Sequence, residues 1–351
     1  CRSQSSSVVT HEMAFEAIRE ALIAACSQSS KVFPALIAHG SDVNNRFSVK
    51  SGATETLAGL KMGFIWPGNA SKGLKTHNSV TVLFNQDSGG VHAVIESGVV
   101  NAYRTAAADA VATNVLARQD AKTLTVFGAG NQAGYDCLAL AKIRPIERVL
   151  VVNRDPVRAE KFKLRLAEHG LHVEIVSAEE GCARADIIVT ATPSQSPLFD
   201  SALVRPGTHI SCMGTDGAGK QELDPALLAR AELFCDLPEQ SVKIGEFQHV
   251  ARQIESGTLP LTAIGLVLTG QAKGRSSDQA ITVFDSSGIS LQDLHIAQRI
   301  LQATSLLRTE QRFLVIPRLF ALLLSLGSIS QACIHRCFMV RGRKMPLFCV
   351  A

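Results

Sequence analysis

Two hydrophobic rhythms run along the chain. From residue 11 to 26 the apolar positions recur at helical spacing, with Phe15, Ile18, Leu22 and Ile23 as the predicted buried stripe and Thr10 placed to cap the first turn. Residues 44–66 and 79–104 alternate instead, as antiparallel strands do; 59–66 and 80–84 are the clearest runs, the second followed by a turn at Asp87-Ser-Gly-Gly. An alanine-rich helix is predicted over 105–118. From residue 123 onward, short apolar strands at 123–127, 148–153, 171–176, 185–190, 208–213, 232–236 and 280–284 alternate with helical stretches. That order predicts an α/β fold with a parallel sheet covered on both faces. Residues 290–307 read as a last helix, with Leu291, Leu294, Ile300 and Leu301 apolar.

The first of the later strands runs directly into a glycine turn. Thr123–Ala133 reads Thr-Leu-Thr-Val-Phe-Gly-Ala-Gly-Asn-Gln-Ala, a buried strand followed by Gly128-x-Gly130-x-x-Ala133 and an apolar helix with Tyr135, Leu138 and Ala141 on one face. Gly128 allows the sharp turn, Gly130 lets the backbone approach a pyrophosphate, and Ala133 lets the helix pack on the strand. The free N–H groups at the helix start, near Asn131 and Gln132, supply positive potential. Such a turn between a strand and a helix predicts dinucleotide binding.

Composition narrows the class. The 351 residues are 46% hydrophobic and 19% charged, an ordinary globular balance with length for two domains. A net charge of +4, dispersed along the chain, gives no argument for nucleic acid. Nine cysteines form no CxxC pair; Cys137, Cys182, Cys212 and Cys235 fall in apolar stretches and read as reduced core residues. The expectation is a cytoplasmic protein without disulfides or zinc. No secretory signal is visible, and because the first residue is Cys1 the true N-terminus is expected upstream. After Arg308 the character changes. Phe313–Ile329 is very apolar but broken at Pro317, and Leu319–Leu326 is too short to span a bilayer, so no membrane partner is expected. Residues 309–351 are expected to lie outside the functional fold, as an altered or read-through end; a short membrane-associating helix is the alternative.

Four further stretches resemble the ornithine cyclodeaminase/mu-crystallin family: Gly59-Leu-Lys-Met-Gly-Phe-Ile-Trp-Pro-Gly-Asn69, Tyr103-Arg-Thr-Ala-Ala-Ala108, Met213-Gly-Thr-Asp-Gly-Ala-Gly-Lys-Gln-Glu-Leu-Asp224 and Phe284-Asp-Ser-Ser-Gly-Ile-Ser-Leu-Gln-Asp293. They stand in family order over roughly residues 10–305, with the glycine turn between the second and third. The resemblance implies an α+β N-terminal substrate-binding and dimerisation domain (1–118), a doubly wound Rossmann domain (119–289) and a C-terminal helix (290–308) returning to the first domain. A homodimer follows from the resemblance and from sheet edges that need covering.

The resemblance also assigns chemistry to single residues. Lys61, read by itself, is a lysine on the solvent face of an edge strand; within the family pattern it is the substrate lysine, pairing with a carboxylate and influencing proton transfer. Arg104 at a helix start opposes the dipole, so a bound carboxylate explains it better than structure does. It is placed at the cofactor–substrate junction with Thr105 beside it. Arg46 is a weaker candidate for a second carboxylate clamp. Asp216 is either a turn aspartate or, after a parallel strand where such sheets place ligands, the family's acid/base, with Lys220 helping to hold the cofactor. Thr215 stands where the family more often has glycine, while the aspartate itself is absent from the crystallin branch, which favours an enzyme. Asn153, Arg154 and Arg158 follow the second Rossmann strand, where an acidic residue selects NAD and arginine accommodates the 2′-phosphate of NADP; NADP(H) is favoured over NAD(H), with Asp155 as the opposing signal. Thr76, Thr192, Met213 and Ser286 match cofactor positions and Ser287 a substrate position. No histidine spacing supports a metal, and no serine has a nucleophile elbow.

These features imply reduction of a cyclic imino acid, Δ1-pyrroline-2-carboxylate or Δ1-piperideine-2-carboxylate, to proline or pipecolate. The alternatives are ornithine cyclodeaminase, converting ornithine to proline and ammonia, and a non-catalytic crystallin-like NADPH-dependent binder of small carboxylates.

Overall fold

Two sheets carry the fold, joined by one alanine-rich helix. The computed structural model describes residues 2–305. It opens with α1 (Arg2–Val8) and α2 (His11–Ala24). Thr10 caps α2 as predicted, its hydroxyl accepting from Met13 N at 3.1 Å. The buried face of α2 is Ala14, Ala17, Ile18, Ala21 and Leu22. Phe15 and Ile23, part of the predicted stripe, are only half-buried. The reason is the neighbour: α2 packs on the alanine-rich α3 (Val100–Leu116), and small side chains on both helices allow a close approach.

The first sheet is antiparallel: β1 (Lys31–Val32), β2 (Leu36–His39), β3 (Arg46–Ala53), β4 (Ala58–Ile65), β5 (His77–Phe84) and β6 (Val91–Glu96), in the order β1-β3-β4-β5-β6 with β2 also on β3. Periodicity misses β1, which has two residues, and β2, a peripheral strand whose side chains are mostly exposed. It also carries the strand pattern to 104 and starts the helix at 105. In the structure β6 stops before Ser97-Gly98 and α3 begins at Val100. Arg104 therefore stands in the second turn of α3, not at a strand–helix junction.

The second sheet is parallel throughout. Its strands are β7 (Thr123–Phe127), β8 (Arg148–Val152), β9 (Val173–Ile175), β10 (Ile187–Thr190), β11 (His209–Cys212), β12 (Glu232–Cys235), β13 (Leu261–Ala263) and β14 (Thr282–Asp285), in the order β13-β12-β14-β11-β10-β7-β8-β9. The edge strand β13 lies in a stretch with no strand pattern. Helices α4 (Asn131–Ile143), α5 (Pro156–Ala167), α6 (Ala178–Arg184), α7 (Pro225–Leu228), α8 (Pro238–Ile244), α9 (Ala251–Glu255) and α10 (Ile264–Leu268) connect the strands. The chain winds outward from β7 to β8 and β9, then returns to β10 on the other side of β7. That reversal opens a crevice at the carboxyl ends of β7 and β10, the place where doubly wound sheets bind ligands.

Helix α4 buries Ala133, Cys137 and Leu140. Tyr135, Leu138 and Ala141, the predicted apolar face, are half-buried and line an outer groove, where Tyr135 meets Tyr103 edge-on at 5.0 Å between centroids. Cys137, Cys182, Cys212 and Cys235 are buried free thiols. The helix beginning at 290 returns the chain to the antiparallel sheet, packing Leu291, Leu294 and Ala297 with Leu83 and Ile95. It comes so close that a Cβ on Gly59 would stand 2.8 Å from Leu294 Cδ2. Among the described residues no helix is long and apolar enough to cross a membrane; the expectations for 309–351 fall outside them.

Candidate active site

The glycine turn fits a dinucleotide. Gly128 has φ +113°, and a Cβ there would lie 2.8 Å from the Ala191 carbonyl. Gly130 caps α4 in extended conformation without any side-chain cap, so the first N–H groups of the helix are left for a ligand. A Cβ on Gly130 would meet nothing within 4 Å. Asn131 and Gln132 form the first turn, although Gln132 turns inward, its amide donating to Asp136 at 2.8 Å. At the carboxyl end of β8, Asn153 donates to the Asp155 carbonyl at 3.2 Å. The Asp155 carboxylate caps α5, accepting from Val157 N at 3.0 Å and Arg158 N at 3.1 Å, and pairs with the Arg158 guanidinium at 3.3 Å. Arg154 is exposed beside it.

A cleft of about 290 Å³ lies between the inner face of the antiparallel sheet and the loops that follow β11 and β14. Strand register decides which side chains enter it. Lys50 on β3 stands directly opposite Lys61 on β4, Ser48 opposite Gly63, and Arg46 opposite Ile65. Lys61 is therefore on a central strand, 7% exposed, with its ammonium 3.1 Å from Asp293 and also donating to Asn101. Arg104 reaches the same two acceptors: Nη2 donates to Asn101 Oδ1 at 2.9 Å, Nε lies 3.4 Å from Asp293, and Nη1 donates to Gln292 at 3.2 Å. Gly288, at φ +77°, makes room for this, since a Cβ there would be 2.7 Å from Arg104 Nη1. Lys50 donates to the carbonyls of Ser287 (3.2 Å) and Gly288 (2.7 Å).

So many buried cations perturb one another. Burial, then the charges of Arg104 and Lys50, bring Lys61 down to about 8, with Asp293 holding it up against them. Lys50 and His77 are lowered for the same reason, burial first and neighbouring cations second. On the facing wall Asp216 is ion-paired with Lys220 at 2.5 Å. Burial raises its pKa, but Lys220, Lys50 and Arg104 outweigh that and hold the carboxyl below its usual range. Asp216 is thus an ionised acceptor at neutral pH.

The structure brings Lys61, Arg104, Asp216, Lys220, Ser287 and Arg46 to one cleft. Arg46 sits at its exposed outer end, one row beyond Gly63. Thr105 is buried, its hydroxyl turned back to the Asn101 carbonyl. Met213 follows β11, and Thr192 follows β10 against the glycine turn, its methyl 3.3 Å from where a Gly128 Cβ would be. Ser286 donates to Asp236 at 3.2 Å, and Ser287 accepts from Gln240 at 2.8 Å. Thr76 is exposed just before β5; its neighbour His77, not Thr76, lines the cleft. Sequence reasoning missed Asp293, Asn101, Gln292 and Lys50. Asp293 and Gln292 close the fourth family-like stretch and Lys50 follows Arg46 on the same face, but none has a spacing of its own that marks it.

The model of the ornithine cyclodeaminase/mu-crystallin family matches residues 4–305. Iminosuccinate reductase from Paracoccus denitrificans is 38% identical over 300 residues, 84% of this chain and 92% of that protein. Its crystal structure in complex with NAD+ superposes with TM-score 0.79 at 37% identity, covering 86% of this chain and 94% of the other. Δ1-Pyrroline-2-carboxylate reductase from the same organism is 34% identical over 251 residues, 69% of this chain and 78% of that protein. An archaeal alanine dehydrogenase, solved as a dimer with bound NAD, matches at TM-score 0.79 and 30% identity, with 86% and 94% coverage. A glycine turn open to a dinucleotide, a lysine and an arginine on shared acceptors, and this likeness along almost all the described residues lead to one assignment: the chain belongs to the ornithine cyclodeaminase/mu-crystallin family.

Proposed function

We propose that the protein is a nicotinamide-dependent reductase of α-imino acids, with Δ1-pyrroline-2-carboxylate and Δ1-piperideine-2-carboxylate as substrates. The observation that carries this is the convergence of Lys61 and Arg104 on Asn101 and Asp293, across the cleft from an ionised Asp216. A guanidinium has five N–H donors. Nε, one Nη1 proton and one Nη2 proton of Arg104 are engaged within the protein, so two remain for a ligand. With the Lys61 ammonium they make a cradle for the substrate carboxylate. The imine nitrogen, protonated, then faces the Asp216 carboxylate, which stabilises the iminium and makes its carbon electrophilic. The nicotinamide, when bound, supplies the hydride. The protein contributes orientation and electrostatics.

The finer cofactor choice is NADP(H) over NAD(H). It is supported by Asn153 at the end of β8 and by the engagement of the Asp155 carboxylate with α5 and Arg158, which leaves Arg154 beside the ribose position without a free carboxylate. The iminosuccinate reductase and alanine dehydrogenase structures hold NAD+ and NAD, so the choice needs a direct comparison. We also propose a homodimer. Exposed large apolar side chains away from the cleft concentrate on the antiparallel sheet and its connections, among them Leu36, Val91 and Val94, and a second subunit would cover them.

The test is a spectrophotometric screen of cyclic imines with NADPH and NADH. Turnover of at least one imine is expected, with the higher kcat/KM for NADPH. Cofactor binding with no imine reduced would overturn the reading, and ammonia release from ornithine without net cofactor turnover would replace it with the cyclodeaminase reaction.

A further inference from the structure

Two buried carboxylates beside the cleft have no part in the reaction: Glu222, two residues after Lys220 in the third family-like stretch, and Glu246, just past α8. Glu222 accepts hydrogen bonds from donors on both sides of the crevice. Its Oε1 receives Thr192 N and Thr192 Oγ1, each at 2.7 Å, and its Oε2 receives Thr190 Oγ1 at 2.8 Å and Gly214 N at 3.1 Å. Thr190 and Thr192 lie at the carboxyl end of β10, against the glycine turn; Gly214 lies past the end of β11, two residues before Asp216. Glu246 holds Glu222 in turn, accepting from Glu222 N at 3.0 Å, Leu223 N at 2.7 Å and Thr215 Oγ1 at 2.6 Å. Its own N–H is fixed by Asp285 of β14 at 3.0 Å. One line of buried carboxylates thus runs from the end of β14 to the wall of the dinucleotide crevice.

A buried acid is a costly way to tie two loops, since an apolar contact would do so without desolvating a charge. What a carboxylate alone provides is an acceptor-only group that takes donors at both oxygens in a fixed geometry. We propose that Glu222 is a positioning residue for hydride transfer: it holds the Thr192 wall and the Asp216 loop in register, so that the nicotinamide ring and the substrate nitrogen meet their partners together. The proposal rests on the imine-reductase reading of the cleft. Lys61 and Arg104 take no part in this tie, so recognition of the substrate carboxylate is independent of it.

The test is Glu222→Gln, studied by thermal melting, by NAD(P)H fluorescence titration, and by imine kinetics with cofactor deuterated at the transferred position. The amide matches the acid in shape, yet its NH2 must face one of the two donor pairs. We expect melting close to wild type, cofactor Kd weakened about tenfold, kcat lowered by about 10- to 100-fold, a changed deuterium isotope effect and an unmoved KM for the imine. Cofactor Kd and kcat within twofold of wild type at unchanged melting temperature would overturn the proposal. Should Glu222→Gln not fold, Thr190→Val decides: loss of this one bond should lower kcat about threefold with melting retained, and unaltered kcat and Kd would refute the role. If the wild type reduces no imine, the reaction is wrong, while the fluorescence titration still decides whether Glu222 shapes the cofactor wall.

Discussion

Removing the Asp293 carboxylate tests whether the substrate anchor is an ammonium held in its charged form by that one buried acid. Asp293 is 3% exposed and touches both Lys61 at 3.1 Å and Arg104 at 3.4 Å. At an effective dielectric of about 20, opposite unit charges 3.1 Å apart attract by about 5 kcal/mol, roughly 4 pKa units for Lys61. Suppose entering water and relaxation in Asp293→Asn leave only a quarter of that. Lys61 still falls from about 8 to roughly 7, from about nine-tenths charged at pH 7 to about half. With more of the Coulomb energy retained it is neutral. A lost charged hydrogen bond to the substrate carboxylate costs about 1.5–3 kcal/mol, or roughly a 10- to 100-fold rise in KM.

The assay is the pH dependence of the imine KM in both proteins. In the wild type, KM should be flat at neutral pH and rise as Lys61 loses its proton near pH 8. In Asp293→Asn the rise should begin at least about one pH unit lower, with kcat moving less than KM because Asp216 and the cofactor crevice are untouched. An unchanged midpoint with KM within twofold of wild type would refute the claim that Asp293 controls the charge of Lys61.

Three further outcomes are expected. Asp216→Asn should lower kcat by about 10²-fold or more with little change in imine KM, and full activity would remove Asp216 from the reaction. Asn153→Asp should shift cofactor preference toward NADH by about tenfold or more in the kcat/KM ratio, because it adds a carboxylate where the 2′-phosphate is proposed to lie; an unmoved ratio means the selectivity lies elsewhere. Asp136→Asn should stabilise the protein increasingly as pH rises. Burial, then the charge of Asp109, raise the Asp136 carboxyl well above its usual range, so the folded state holds a proton that the unfolded chain releases from about pH 4 upward, and wild-type stability falls through that interval. The melting-temperature gain should be near zero at pH 4 and largest at neutral pH, with a pH-independent gain contradicting the linkage.

How much of this was legible depends on what each residue must do alone. The glycine turn could be read because a pyrophosphate demands backbone freedom at Gly128, which no other residue offers at low cost. Lys61, Arg104 and Asp216 could be picked out as candidates because the family-like stretches enclose them, and the structure brings all three to one cleft. Element type was legible wherever the run was long enough to show a period. It failed at β1, which has two residues, and at β2 and β13, peripheral strands whose side chains are mostly exposed or half-buried. On α2 and α4 the element was legible but the buried face only in part, because alanine packing and an aromatic contact leave Phe15, Ile23 and Tyr135 half-buried.

The partners of the chemistry were illegible for a different reason. Asp293, Asn101 and Glu222 act as acceptors that organise a cation or a loop from another part of the chain. Asp293 and Lys61 are 232 positions apart in sequence, and no local pattern of charge relates them. Their pairing follows only when the helix from 290 folds back over Gly59 and the register of β3 on β4 sets Lys50 opposite Lys61. Two lysines facing each other across strands repel. The sheet tolerates them because the returning helix supplies a carboxylate, and the loop before it two carbonyls, from Ser287 and Gly288, at that place. The positive end of the cleft is therefore a product of tertiary closure. It should be lost together with that helix, before the parallel sheet and its glycine turn are disturbed.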